Sequence, residues 1–194
     1  IETTGDDLKQ SWYELLKSQE ISKEMHIELI NYCNEKNIIF LSTPYGFESA
    51  DLLEKLNIPA YKIASFEAVD HQLIEYAAKT KKPLIISTGM ANSQEISEAI
   101  SVAKGAGAKE IAILHCVSGY PAPPEDYNLN TIRDMLEKYS LVTGLSDHTI
   151  ENFTAFGSIA IGASIIEKHF TLSRDNGGPD DSFSLEPKDL KNLV

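Results

Sequence analysis

Cysteine is scarce, with only Cys33 and Cys116 in 194 residues. Cys33 falls in a helical pattern and Cys116 at the end of a strand-like run, so no disulfide framework is expected. Two such thiols suit a reducing cytoplasm better than a secreted scaffold. Positive charge is also in short supply: 17 Lys and Arg stand against 29 Asp and Glu, for a formal net charge of −12. A polyanion needs a basic patch to dock on, so nucleic acid and anionic membrane are not expected as partners. An anionic small molecule is not excluded, because a local pocket can be positive on an acidic protein. No apolar run approaches the ~20 residues that cross a bilayer. Residues 1–12 (IETTGDDLKQSW) are polar, so no signal peptide is expected there. No linker, low-complexity tract or second domain is visible.

What the chain does have is alternation. Apolar runs of strand length recur at Ile38 to Leu41, Tyr61 to Ala64, Leu84 to Ile86, Ile111 to Leu114, Leu141 to Leu145 and Ser164 to Ile166. Short continuous runs of this kind suit strands buried on both faces of a parallel sheet. Helical patterns lie between them. Leu52, Leu53 and Leu56 share a face, as do Leu73, Ile74 and Ala77. Ile96, Ala99, Ile100 and Ala103 form the clearest stripe, with Asn92 and Glu95 as its cap and Gly105 or Gly107 as its end. Ile132, Met135 and Leu136 mark the next helix, and Phe153, Phe156 and Ile159 a shorter one. Strand–helix alternation implies an α/β fold with a parallel sheet. Two architectures compete, a doubly wound open sheet and a barrel. A complete eight-stranded barrel takes ~250 residues, so six strands here read as part of a longer one.

Polar residues gather where the strands end: Ser42-Thr43-Pro44, Ser65-Phe66-Glu67, Ser87-Thr88-Gly89, His115-Cys116, Ser146-Asp147-His148 and Glu167-Lys168-His169. That edge of a parallel sheet is where ligands bind. His148 and His169 end consecutive strands, which lie ~4.8 Å apart if paired. Two imidazoles there suit one metal ion, although by spacing alone a satisfied core position for His169, beside Phe170, is the stronger reading. Lys62 lies inside an apolar strand run and needs a partner, either an anionic ligand or a carboxylate on a neighbouring strand. Glu67 suits a general base or a solvated turn. His26 and His71 read as surface residues. His115 and Cys116 point to opposite faces if the strand is regular, so at most one faces a barrel axis. Gly177-Gly178-Pro179-Asp180 reads as a turn before a site cover.

Seven ordered stretches carry a resemblance: FLSTPYGFESADLL, YKIASFE, PLIISTGM, LHCVSGYPAPPEDYNL, GLSDHT, IIEKHFTL and GGPDDSFSLEP. Over essentially its whole length the chain resembles the N-acetylneuraminate (sialic acid) synthase family. The resemblance implies a (β/α)8 TIM barrel, here a partial barrel without the first two β/α units, and no antifreeze-like C-terminal domain within this chain. It also implies phosphoenolpyruvate as one substrate, an amino-sugar aldehyde as the other, a divalent cofactor (Mn²⁺ or Mg²⁺) and a domain-swapped homodimer for the full-length protein. Matched by motif, His148 and His169 are implied metal ligands. Lys62, Ser65, Ser87 and Ser146 are implied to hold the phosphate and carboxylate of phosphoenolpyruvate. Glu67 is the implied acid/base carboxylate, and Tyr120 and Asp180 are implied to flank the sugar. ASFE and the GGPDDSFSLEP ending are most similar to the pseudaminic acid synthases; the N-acetylneuraminate and legionaminate branches stay open. An aldolase using Lys62 as a Schiff base and a non-catalytic sugar-phosphate binding fragment are the rival readings.

Overall fold

The computed structural model describes residue 14 and residues 17–194; the polar stretch 1–12 lies outside the described residues. The chain divides into two compact units between Phe40 and Leu41.

In the first unit, helix α1 spans Lys23–Glu35. The Ser22 hydroxyl opens it by accepting from the Met25 backbone N–H at 3.1 Å, satisfying one of the donors a helix start leaves unpaired. His26 is buried, contrary to the surface reading. Its Nδ1 lies 2.9 Å from the Ser22 carbonyl and its ring meets Phe40 edge-on at 6.3 Å. The run from Ile38 to Leu41 was expected as a strand and forms none: Ile38 is 62% exposed and Ile39 76%. A strand exists through its ladder, and apolar character alone supplies no partner backbone.

The second unit carries five parallel strands: β1 (Tyr61–Ile63), β2 (Leu84–Ser87), β3 (Ile111–Cys116), β4 (Val142–Asp147) and β5 (Ile166–Lys168). Their spatial order is 1-2-3-4-5. A doubly wound sheet reverses its strand order at a switch point; consecutive order is that of a barrel, and the sheet is a half-barrel. The helices are α2 (Phe47–Lys55), α3 (His71–Lys79), α4 (Ser93–Gly105), α5 (Asn130–Tyr139), α6 (Phe153–Ala160) and α7 (Pro187–Leu193). No helix among the described residues is long and apolar enough to cross a membrane.

Local sequence explains most of these elements. The expected capping box opens α4: Asn92 Oδ1 accepts from the Gln94 and Glu95 N–H groups, and Glu95 Oε2 accepts from the Asn92 N–H at 2.7 Å. Leu73, Ile74 and Ala77 of α3, and Ala99, Ile100 and Ala103 of α4, are buried as their spacing predicts. Helix α6 exists but faces otherwise than its aromatic stripe suggests. Phe153, Phe156 and Ile159 are exposed, and the buried face is Thr154, Ala155 and Ser158. Small residues let this helix approach closely; a Cβ on Gly157 would stand 2.9 Å from Leu129 Cδ1. Gly144 in β4 has the same logic, because a Cβ there would collide with the Ile165 carbonyl and the Leu114 side chain. Strand β5 starts two residues later than expected, at Ile166, and so carries Glu167 and Lys168 within the ladder, opposite Ser146 and Asp147.

Candidate active site

Parallel strands in register bring all their carboxyl ends to one edge. Ser87 pairs with Leu114, Cys116 with Ser146 and Asp147 with Lys168. At that edge lies a cavity of about 320 Å³. Lys62, Ser65, Ser87, Tyr120, Ser146, His148 and His169 all line it. Glu67 and Asp180 do not. Of His115 and Cys116, Cys116 reaches the cavity while His115 turns away, its Nε2 2.5 Å from the Tyr127 carbonyl.

The two imidazoles are fixed by similar means. His148 Nδ1 lies 2.8 Å from the Val117 carbonyl. A carbonyl only accepts, so Nδ1 carries the hydrogen and Nε2 keeps the lone pair. Burial pulls the His148 pKa down, with the Val117 carbonyl opposing and the neighbouring His169 adding to the depression; the neutral ring is favoured. The backbone of His148 is pinned as well: its N–H donates to the hydroxyl of the fully buried Tyr127 at 2.6 Å. His169 Nδ1 lies 3.3 Å from Asp180 Oδ2. The rings stand 5.2 Å apart, centroid to centroid. Tyr120 stacks on His148 at 4.2 Å, and Phe183 meets His169 at 5.1 Å. No group of three or more His, Cys, Asp or Glu side chains that could hold a metal occurs among the described residues. Two imidazoles fit an open divalent site, whose remaining positions fall to water or substrate oxygens, and do not fit a closed structural one.

The rest of the wall suits an anion. Ser87 Oγ in the wall, and Ser118 Oγ behind it next to Gly89, are buried without a hydrogen-bond partner, a costly state unless a ligand completes it. Ser65 Oγ accepts from the Gly89 N–H at 3.1 Å. A Cβ on Gly89 would lie 2.7 Å from Ser118 Oγ and 2.9 Å from Ser65 Oγ, so only glycine leaves this cradle open. Lys62 Nζ lies 3.4 Å from Glu167 Oε2, and Ser146 donates to Glu167 Oε1 at 2.7 Å. Lys62 is on β1 and Glu167 on β5, the two outer strands. In a flat sheet they would stand roughly 19 Å apart, four steps of ~4.8 Å; the ion pair closes only because the sheet curls. Lys168 also borders the cavity, but its ammonium is committed to Asp147 at 3.0 Å and to the Thr149 and Glu151 carbonyls, nearly all of it buried.

Glu67 sits in the single 3₁₀ turn Phe66–Val69 after β1. Its Oε2 is buried without a hydrogen-bond partner, and burial raises its pKa, with Asp70 adding and its own backbone hydrogen bond and Lys62 opposing. The Gly177–Asp180 segment is a turn, with Gly177 at φ 80° and the Gly178 N–H donating to Asp181 Oδ2 at 2.7 Å; it presents Asp180 to His169. Glu167 and Gly89 fall in strand-end clusters legible in the sequence but received no role of their own there, and Ser118 and Tyr127, beside the cavity, were passed over. A serine two residues beyond a strand end, and a carboxylate within one, were the available signals.

The model of the NeuB family matches residues 1–194. The chain is 41% identical to the N,N'-diacetyllegionaminic acid synthase of Campylobacter jejuni, an alignment covering 100% of this chain and 58% of that protein. It is 40% identical to the pseudaminic acid synthase of Helicobacter pylori, covering 96% and 55%. The crystal structure of an N-acetylneuraminic acid synthetase from Leptospira borgpetersenii, in complex with citrate, superposes with a TM-score of 0.90 at 34% identity, covering 96% of this chain and 66% of that one. The chain thus spans about half the length of the curated relatives it matches. By the match along its whole length, by fold and by identity, the chain belongs to the NeuB family, the sialic acid synthase family.

Proposed function

We propose that this chain is barrel sequence of a nonulosonic acid synthase, which joins phosphoenolpyruvate to the aldehyde of an N-acetylated amino sugar and releases phosphate by C–O cleavage. The observation that carries the reading is the pair of imidazoles 5.2 Å apart, bordering a cavity whose wall also holds Lys62 and the partnerless Ser87 hydroxyl. His148 and His169 would hold Mn²⁺ or Mg²⁺, which when bound supplies Lewis acidity toward the aldehyde oxygen. Lys62, Ser65, Ser87 and Ser146 neutralise and orient the anionic donor. Held there, its C3 attacks the aldehyde carbon, water adds at C2, and phosphate departs with the bridging oxygen. Glu67, its pKa raised by burial, suits moving a proton to or from the water or the sugar. Tyr120 and Asp180 flank the acceptor.

ASFE and GGPDDSFSLEP favour pseudaminic acid as the product. A homodimer in a cytoplasmic setting completes the reading. The Schiff-base rival is disfavoured because an ammonium ion-paired to Glu167 is not the free amine that attacks a carbonyl. The test is incubation of the intact protein with phosphoenolpyruvate and candidate sugars, with and without Mn²⁺, following phosphate release. Metal-dependent release supports the proposal. Borohydride trapping of a pyruvate adduct on Lys62 would replace it with the aldolase reading, and donor binding without turnover would replace it with a binding module.

A further inference from the structure

We infer that Glu167 is a positioning residue that competes with the anionic donor for the Lys62 ammonium, and so sets donor affinity. The inference rests on the function proposed above, because it takes phosphoenolpyruvate as the anion.

The pair is asymmetric. The Lys62 side chain is 11% exposed and springs from the middle of β1, so its ammonium is held at the cavity. Glu167 is 42% exposed and belongs to a three-residue strand in which no residue is fully buried. The cation is fixed and the anion can turn toward solvent. The contact is also long. Lys62 Nζ stands 3.4 Å from Glu167 Oε2 and 3.4 Å from the Ile63 carbonyl, at the outer limit for a hydrogen bond. A tight, charge-assisted pair would sit at ~2.8 Å, as the Lys168–Asp147 pair nearly does at 3.0 Å. Lys168 is thereby committed, which leaves Lys62 as the cavity's ammonium open to exchange among the described residues. The Ser146 hydroxyl, 2.7 Å from the other carboxylate oxygen, keeps Glu167 close by while it yields the ammonium. A donor carrying phosphate and carboxylate brings more negative charge than the single carboxylate it displaces, so exchange runs in its favour.

Glu167→Gln keeps the size and an acceptor for Ser146 but removes the competing charge. Titration calorimetry of the intact protein with phosphoenolpyruvate is expected to show roughly tenfold tighter binding in this variant, a full charge at this range discounted for solvent screening. In a Lys62→Met background the same Glu167→Gln change is expected to give no gain, a dependence that a merely structural role would not produce. Should Glu167→Gln not melt cooperatively, Glu167→Asp serves instead: its shorter carboxylate withdraws from Lys62, and a smaller tightening is expected. Equal or weaker binding in these variants, or a gain that persists without Lys62, overturns the inference. Failure of the unmodified protein to bind phosphoenolpyruvate counts against the function proposed above.

Discussion

Asp180 Oδ2 and His169 Nδ1 lie 3.3 Å apart, so the loop after β5 holds the imidazole that directly follows the strand. A carboxylate on Nδ1 fixes the tautomer and turns Nε2 outward as a ligand atom; such outer partners commonly contribute 10–100-fold to metal affinity. Asp180→Asn is therefore expected to weaken Mn²⁺ binding by roughly tenfold or more, read by the loss of free-ion signal in electron paramagnetic resonance. Unchanged affinity would confine Asp180 to the sugar side of the site.

Lys168 and Asp147 form a buried pair, 5% and 0% exposed in their side chains. Removing one partner strands the other, at a cost of about 3–5 kcal/mol. Lys168→Met should lower the urea midpoint accordingly. A loss below about 1 kcal/mol would mean that water reaches Asp147.

Much of this was legible in the sequence and some was not, for physical reasons. The Asn92 cap of α4 and the buried faces of α3 and α4 are local, so spacing reveals them. The histidines at two strand ends were legible because period and polarity change together there. The Lys62–Glu167 pair was not, because it depends on sheet curvature, to which no local pattern corresponds. The run at Ile38 showed strand character without a ladder. The aromatic stripe of α6 misled because its buried face is built from Thr154, Ala155 and Ser158, whose merit is small size rather than hydrophobicity.

Gly144 has no room for a methyl group against the Ile165 carbonyl and Leu114. Gly144→Ala should force β4 away from β5 and cost about 1–3 kcal/mol or more, checked by chemical denaturation. Gly89→Ala meets side-chain hydroxyls instead of backbone. It should leave stability nearly intact while weakening phosphoenolpyruvate binding.

Burial lowers the pKa of His115, with its contact to the Tyr127 carbonyl opposing. A histidine whose folded pKa lies below its unfolded value of ~6.5 binds fewer protons folded than unfolded in that window. Stability should therefore fall as pH drops below ~6.5, and His115→Gln should flatten that fall. Denaturant midpoints compared at about pH 7.5 and about pH 5.5 test the sign; a midpoint that rises on acidification would contradict it.

The proposed chemistry requires His148 and His169 to share one cation. Mn²⁺ titration of the intact protein, followed by electron paramagnetic resonance, measures this directly. A single tight equivalent that is lost in both His148→Ala and His169→Ala is the expected result. Binding that is equally tight in either variant would contradict it.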